Sequence, residues 1–231
     1  MRYAGKGRLN RPTCIDQPLK AMRIRHAFLI LLVLSCALPG TASAEGLVLV
    51  KRVIDGDTIV LADGRRVRYI GINAPELGSK NGPAERFGSE ARDYNRKLMA
   101  AEKVRLEFDY ERNDQYGRVL AYVFLPDDTF VNAELVKSGN AYVVFRRPNT
   151  KYDSLLLRLQ QEAMAKKAGM WEGYLNKEGP FLGNTHSRRF HRTTCPFGRK
   201  TAQKNRITFQ TSLDAYLSGY SPCKRCFASS P

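Results

Sequence analysis

Three short strand-like runs between Val48 and Ile72, separated by tight turns, constrain this chain most. Val48 and Val50 alternate with polar neighbours, Asp55-Gly56-Asp57 turns the chain, and Thr58-Ile59-Val60-Leu61 is apolar. Asp63-Gly64 is a two-residue hairpin signal, and Arg66 to Ile72 resumes strand character, so the segment predicts a meander. Gly78 to Gly82 is polar and aperiodic, an expected loop. After Pro83 the spacing of Phe87, Ala91, Tyr94 and Leu98 predicts an amphipathic helix to about Ala101. Val104, Leu106 and Phe108 alternate as a strand, and Val119 to Leu125 forms another. Val131 to Ser138 is expected to be helical and to stop at Gly139, and Leu155, Leu159, Ala163 and Met164 mark a last helix toward Trp171. Three strands, a helix, two strands and two helices predict an α+β fold that is mainly β. Its expected form is a five-stranded Greek-key barrel of oligonucleotide-binding (OB) type carrying three helices.

Residues 1–44 read as a leader. Arg23 and Arg25 precede the apolar run Ala27 to Leu38, and Ala42-Ser43-Ala44 closes it, the parts of a secretory signal peptide. The run is too short to span a membrane, which takes about 20 apolar residues. We expect translation to start at Met22, cleavage near Ala44, and a secreted or periplasmic product beginning at Glu45. Lipidation at Cys36 is the rival, but Leu34 fits its cleavage box poorly. No stable membrane contact is expected, and no protein partner is inferred.

Charge is unevenly spread. Residues 45 to 179 carry 22 Lys/Arg against 20 acids, whereas residues 180 to 231 carry 9 against 1. A concentrated positive excess suits a polyanion such as DNA or RNA, although a basic tail can also serve only solubility. The Gly- and Pro-containing stretch 174–185 reads as a linker between residues 45–173 and a C-terminal module, 186–231, expected to be detachable.

The 45 to 179 segment contains no histidine and no cysteine, which excludes imidazole or thiol catalysis there and leaves carboxylate and arginine chemistry. Three motifs carry it: Ile54-Asp55-Gly56-Asp57-Thr58, Arg68 followed by Asn73-Ala74-Pro75-Glu76, and Asp114-Gln115-Tyr116-Gly117-Arg118. Singly, each is an ordinary turn or a surface charge. Together, in this order and spacing, they resemble the signature segments of the staphylococcal nuclease family, and the similarity extends over about residues 48 to 173. The resemblance implies metal-dependent hydrolysis of phosphodiester bonds in DNA or RNA. Asp57, the Asn73 amide oxygen and the Ala74 carbonyl would hold a calcium ion, which takes oxygen ligands and is replaceable by another divalent ion. Glu76 would act as general base or position the water, and Arg68 and Arg118 would clamp the phosphate through planar guanidinium forks. Asp114, Tyr116 and Phe145 are expected near the substrate, with Asp114 partly structural. The family usually has aspartate where this chain has Asn73, so weaker or altered metal binding is expected. A barrel that binds nucleic acid without cutting it is the alternative, which loss of Arg68, Glu76 or Arg118 would have favoured.

Cys195, Cys223 and Cys226, three thiols after the leader, do not pair evenly as disulfides. With His191 they form H-x3-C, then C-x2-C after 27 residues, two close pairs of soft ligands suited to a four-coordinate structural zinc site. A disulfide that leaves one thiol over is the competing possibility. Phe190 to Cys195 and Ala215 to Cys226 resemble the metal-binding domain of Ada-type DNA methylphosphotriester repair proteins, which implies a small α/β module that touches phosphates. In that family the first ligand is the methyl-accepting cysteine. His191 stands in its place here, so methyl transfer is not expected. His186 lies off the pattern and reads as a surface residue.

Overall fold

The computed structural model describes residues 46–78 and 83–227, which belong to one compact unit. The expected leader with its cleavage site and most of the expected 78–82 loop lie outside the described residues. No helix among the described residues is long and apolar enough to cross a membrane.

Strands β1 (Val48–Asp55), β2 (Thr58–Leu61) and β3 (Arg66–Tyr69) form the meander, with Gly64 at φ +92° in the hairpin between β2 and β3. A two-residue β4 (Ile72–Asn73) follows, then α1 (Gly88–Leu98), which continues as a 3-10 turn over Met99–Ala101. Strands β5 (Lys103–Glu107) and β6 (Val119–Phe124) complete a closed barrel in the order β1-β2-β3-β6-β5, with β3 and β6 parallel. Helix α2 (Val131–Lys137), strand β7 (Tyr142–Val143) and helix α3 (Asp153–Ala165) pack on it. The short β7 pairs with β4, an addition to the expected five strands that places Tyr142 opposite Asn73.

Alternation builds the core. Ile59, Leu61, Val67, Tyr69, Val104, Leu106, Val119, Ala121 and Val123 point into the barrel. Every residue of β6 is buried, because Leu120, Tyr122 and Phe124 on its other face pack with Ile70 and, from the flanking segments, Phe130 and Tyr152.

The expected linker is mostly a strand. Residues 178–184 form β8 (Glu178–Asn184), a central member of a second sheet ordered β10-β8-β9-β11, with β9 (Arg189–Arg192), β10 (Arg206–Thr211) and β11 (Ser221–Pro222). Helices α4 (Pro196–Arg199), α5 (Ser212–Leu217) and α6 (Lys224–Phe227) accompany it. Thr211 and Asp214 form a reciprocal capping box that starts α5.

The core of this second sheet is continuous with the barrel side. Its Phe181, Phe190, Phe209, Ala215, Tyr216 and Tyr220 share one buried cluster with Tyr142, Ala163 and Trp171 from the barrel side. Tyr216 meets Tyr142 edge-on at 5.6 Å and Trp171 at 5.1 Å. Gln160, fully buried on α3, accepts from the Val143 amide at 2.7 Å and donates to the Tyr216 carbonyl at 2.7 Å. Detaching the module would expose both halves of this aromatic cluster and exchange the Gln160–Tyr216 hydrogen bond for water.

Candidate functional site

The Asp55-Gly56-Asp57 turn projects two carboxylates. Gly56 is required there because a Cβ on it would lie 2.4 Å from the Ala74 Cβ and 2.7 Å from that of Ala91. That close approach brings the Ala74 amide to Asp57 Oδ2, to which it donates at 2.8 Å. Asp57 is buried; its Oδ1 accepts from the Thr58 hydroxyl at 3.0 Å, and Oδ2 pairs with Arg68 Nη2 at 3.0 Å. Asp55 is pushed up to about 6, first by burial and then by the charge of Asp57. In the sequence Asp55 enters as part of this turn and of the Ile54–Thr58 motif, with no role of its own.

Strand β3 presents Arg68 on the face opposite Val67 and Tyr69. Arg68 donates from Nη1 to its neighbour's Tyr69 carbonyl at 2.6 Å and from Nη2 to Asn73 Oδ1 at 3.0 Å. Asp57 Oδ2 and Asn73 Oδ1 therefore converge on one cationic nitrogen. Asn73 is oriented by its partners: the oxygen faces a donor-only guanidinium, while Nδ2 donates to the Ala74 carbonyl at 2.8 Å and the Tyr142 hydroxyl at 3.1 Å. Burial, with Glu85 adding to it, holds the Tyr142 phenol well above its ordinary value. Tyr142 was not anticipated, because only the β4–β7 pairing brings it here.

For a hard cation the donor set fits in part. Asp57 Oδ2 and Asn73 Oδ1 converge on a point held by Arg68 Nη2, and the crowding of Asp55 against Asp57 is the sort of charge a cation relieves. The Ala74 carbonyl accepts from the Asn73 amide at 2.8 Å and keeps a second lone pair for a cation.

Glu76 follows β4 in a loop held to the start of α1. Its backbone N–H donates to Glu85 Oε2 at 2.9 Å and its carbonyl accepts from the Glu85 amide at 2.9 Å. Its side chain is half-exposed and pairs with Lys224. Arg118 immediately precedes β6, whose Leu120 stands opposite Arg68 across the parallel pairing. Asp114 Oδ2 holds the Arg118 Nε and Nη2, each at 2.8 Å, while Oδ1 receives the Tyr116 and Arg118 amides. Burial raises Asp114, but the bonds from Arg118 and Tyr116 outweigh it and bring it below its ordinary value. Tyr116 is exposed, its ring 5.7 Å from the Arg118 guanidinium. Phe145 is not gathered with these groups: it packs on the barrel core, and its ring would meet a Cβ on Gly219 at 2.7 Å.

His191, Cys195, Cys223 and Cys226 are brought together, their ligand atoms all within 4.8 Å of one another, and the cysteines form no disulfide. His191 Nδ1 lies 3.5 Å from Cys195 Sγ and 3.8 Å from Cys226 Sγ. Tetrahedral zinc, with bonds of about 2.3 Å to sulfur and about 2.0 Å to nitrogen, separates its ligand atoms by roughly 3.6 to 3.8 Å, so the spacing fits. Burial, with Arg189 second, lowers His191 and keeps its imidazole neutral for ligation. His186 is exposed, as expected.

Residues 66–173 match the family model for staphylococcal nuclease homologues. The chain is 46% identical over 127 residues to a thermonuclease of Staphylococcus intermedius, covering 54% of this chain and 75% of that protein. It is 42% identical over 123 residues to a thermonuclease of Staphylococcus hyicus, covering 52% and 72%. Against endonuclease YncB of Bacillus subtilis (strain 168) it is 39% identical over 135 residues, covering 55% and 64%. With the closed barrel and the Asp57, Arg68 and Asn73 cluster in place, the chain belongs to the staphylococcal nuclease homologue family.

Proposed function

We propose that this protein is a nuclease that hydrolyses phosphodiester bonds in DNA and RNA with the help of a divalent cation, calcium first. The convergence of Asp57 Oδ2 and Asn73 Oδ1, each 3.0 Å from Arg68 Nη2, carries the reading. It sets anionic and neutral oxygens beside a cation able to grip a phosphate. A bound calcium would supply positive charge against the phosphate oxygens. Arg68 and Arg118 grip the phosphate and gain most as its negative charge grows, and Glu76 takes the proton of the attacking water. Asp114 keeps the Arg118 fork oriented. Relatives named thermonuclease and endonuclease support the chemistry.

His191, Cys195, Cys223 and Cys226 hold a structural zinc ion in this reading, and the basic C-terminal segment adds contacts to phosphates. The chain is exported, with cleavage near Ala44, on the strength of its charged start, apolar run and Ala42-Ser43-Ala44.

The test is incubation with single-stranded DNA and with RNA in calcium, magnesium or EDTA, followed by identification of the product end that carries phosphate. Ion-dependent cleavage lost in Arg118→Ala is the expected result. Binding without cleavage in every ion would favour the non-cutting barrel. Zinc content measured by mass spectrometry on wild type and His191→Ala checks the second site.

A further inference from the structure

Lys224 stands between two of the zinc-type ligands, Cys223 and Cys226, and its Nζ lies 2.5 Å from Glu76 Oε1. The two residues are 148 positions apart in sequence. Both are half-exposed or more, the setting in which an ion pair between long side chains contributes little to stability. Function is the better account of the contact, because both backbones are held from behind. On one side, Glu76 is fixed to Glu85 through its own amide and carbonyl. On the other, the Cys223 amide donates to the Phe190 carbonyl at 2.9 Å, and Arg189 Nη1 donates to the Pro222 carbonyl at 3.1 Å. Lys224 directly follows one residue of the ligand cluster and lies two positions before another.

We infer that Lys224 is a positioning residue for Glu76, so that the C-terminal segment completes the active site. The inference rests on the nuclease reading and deepens it. A glutamate on a loop has three side-chain torsions, and among the described residues Lys224 is the only group bonded to its carboxylate. Binding Oε1 leaves Oε2 to address the water and removes rotamers in which it cannot. A pair to one carboxylate oxygen fixes the direction of the other, so the contribution of the lysine is orientation.

The experiment compares wild type, Lys224→Ala and Lys224→Arg on single-stranded DNA in saturating calcium, with each lysine variant repeated in a Glu76→Gln background under single-turnover conditions. Lys224→Ala is expected to lower kcat about tenfold with KM within twofold, an effect of misorientation. Lys224→Arg is expected to recover at least half of the loss. In the Glu76→Gln background the lysine substitution is expected to cost nothing further, since a group acting through Glu76 has nothing left to position. Unchanged kcat in Lys224→Ala overturns the inference, and so does a rise in kcat, which would mark the contact as an obstruction of Glu76. An equal loss in both backgrounds also overturns it, because Lys224 would then act on the nucleic acid directly. Wild-type turnover separates the two readings: without it both fall, and with it only the lysine variants decide.

Discussion

Arg68 Nη2 donates to Asn73 Oδ1 at 3.0 Å, which leaves the Asn73 amide nitrogen facing the Ala74 carbonyl at 2.8 Å. Asparagine at this position satisfies a cation on one side and a carbonyl on the other, which aspartate cannot do. Asn73→Asp would set a carboxylate oxygen against the Ala74 carbonyl and add a second full charge beside Asp57. In the absence of a divalent ion we expect the variant to melt below wild type. Added calcium should raise its Tm more than it raises that of wild type and lower the calcium concentration for half-maximal rate. Thermal melts and initial rates across a calcium titration measure both, and equal calcium responses in the two proteins would show that residue 73 does not face the ion.

Arg118 is expected to be costly to remove. Its guanidinium is partly exposed but its partner Asp114 has a buried side chain, so Arg118→Ala should lower the melting temperature modestly while lowering kcat by a factor of 10² to 10³, about 3 to 4 kcal/mol of barrier. Asp114→Asn keeps the turn but weakens the grip on the arginine, so a smaller loss is expected. Steady-state kinetics of the three proteins give the order, and a larger loss in Asp114→Asn than in Arg118→Ala would show that the aspartate acts on its own account.

Cutting the chain after Gly179 should not release an intact nuclease. Tyr216 is packed between Tyr142 and Trp171 across the shared core, and Tyr216→Ala alone should cost about 3 to 5 kcal/mol, as for other large aromatic cavities. Tyr142 also accepts from Asn73, so loosening this core should reach the active site. Urea denaturation of the variant and of residues 45–179 tests this; a truncated protein as stable as the full one would refute the shared core.

Asp153 is pushed up to about 6 from 3.8, first by burial and then by the charge of Asp109, and its Oδ1 is buried with no partner among the described residues. A carboxyl that holds its proton more tightly when folded favours the folded state at low pH. That advantage is lost as pH rises through the interval from 3.8 to about 6. Asp153→Asn should therefore match wild type below pH 4 and exceed it above pH 6, by roughly 1 kcal/mol after allowance for screening at a half-exposed group. Denaturation midpoints at several pH values measure the difference, and a pH-independent difference would mean that Asp153 does not titrate in this interval.

Local chemistry alone determined the barrel strands and the three helices packed on them, while Asp57, Arg68 and Asn73 were singled out by the resemblance of their motifs to the staphylococcal nuclease family. Alternation, turn residues and a Gly139 stop are properties of neighbouring side chains and need no distant partner. The absence of histidine and cysteine from residues 45 to 179 limited the chemistry in the same way, and the spacing of His191, Cys195, Cys223 and Cys226 announced a four-ligand site. What only the tertiary structure decided depends on contacts between segments far apart in the chain. Residues 178–184 look like a linker because Gly179, Pro180 and Gly183 weaken strand character, yet pairing with β9 and β10 makes them a strand. Tyr142 joins Asn73 through a two-residue pairing too short to leave a period. Lys224 meets Glu76 because a shared aromatic core docks the second sheet beside the barrel, and hydrophobic burial of that kind carries no local signature of which surface it will cover.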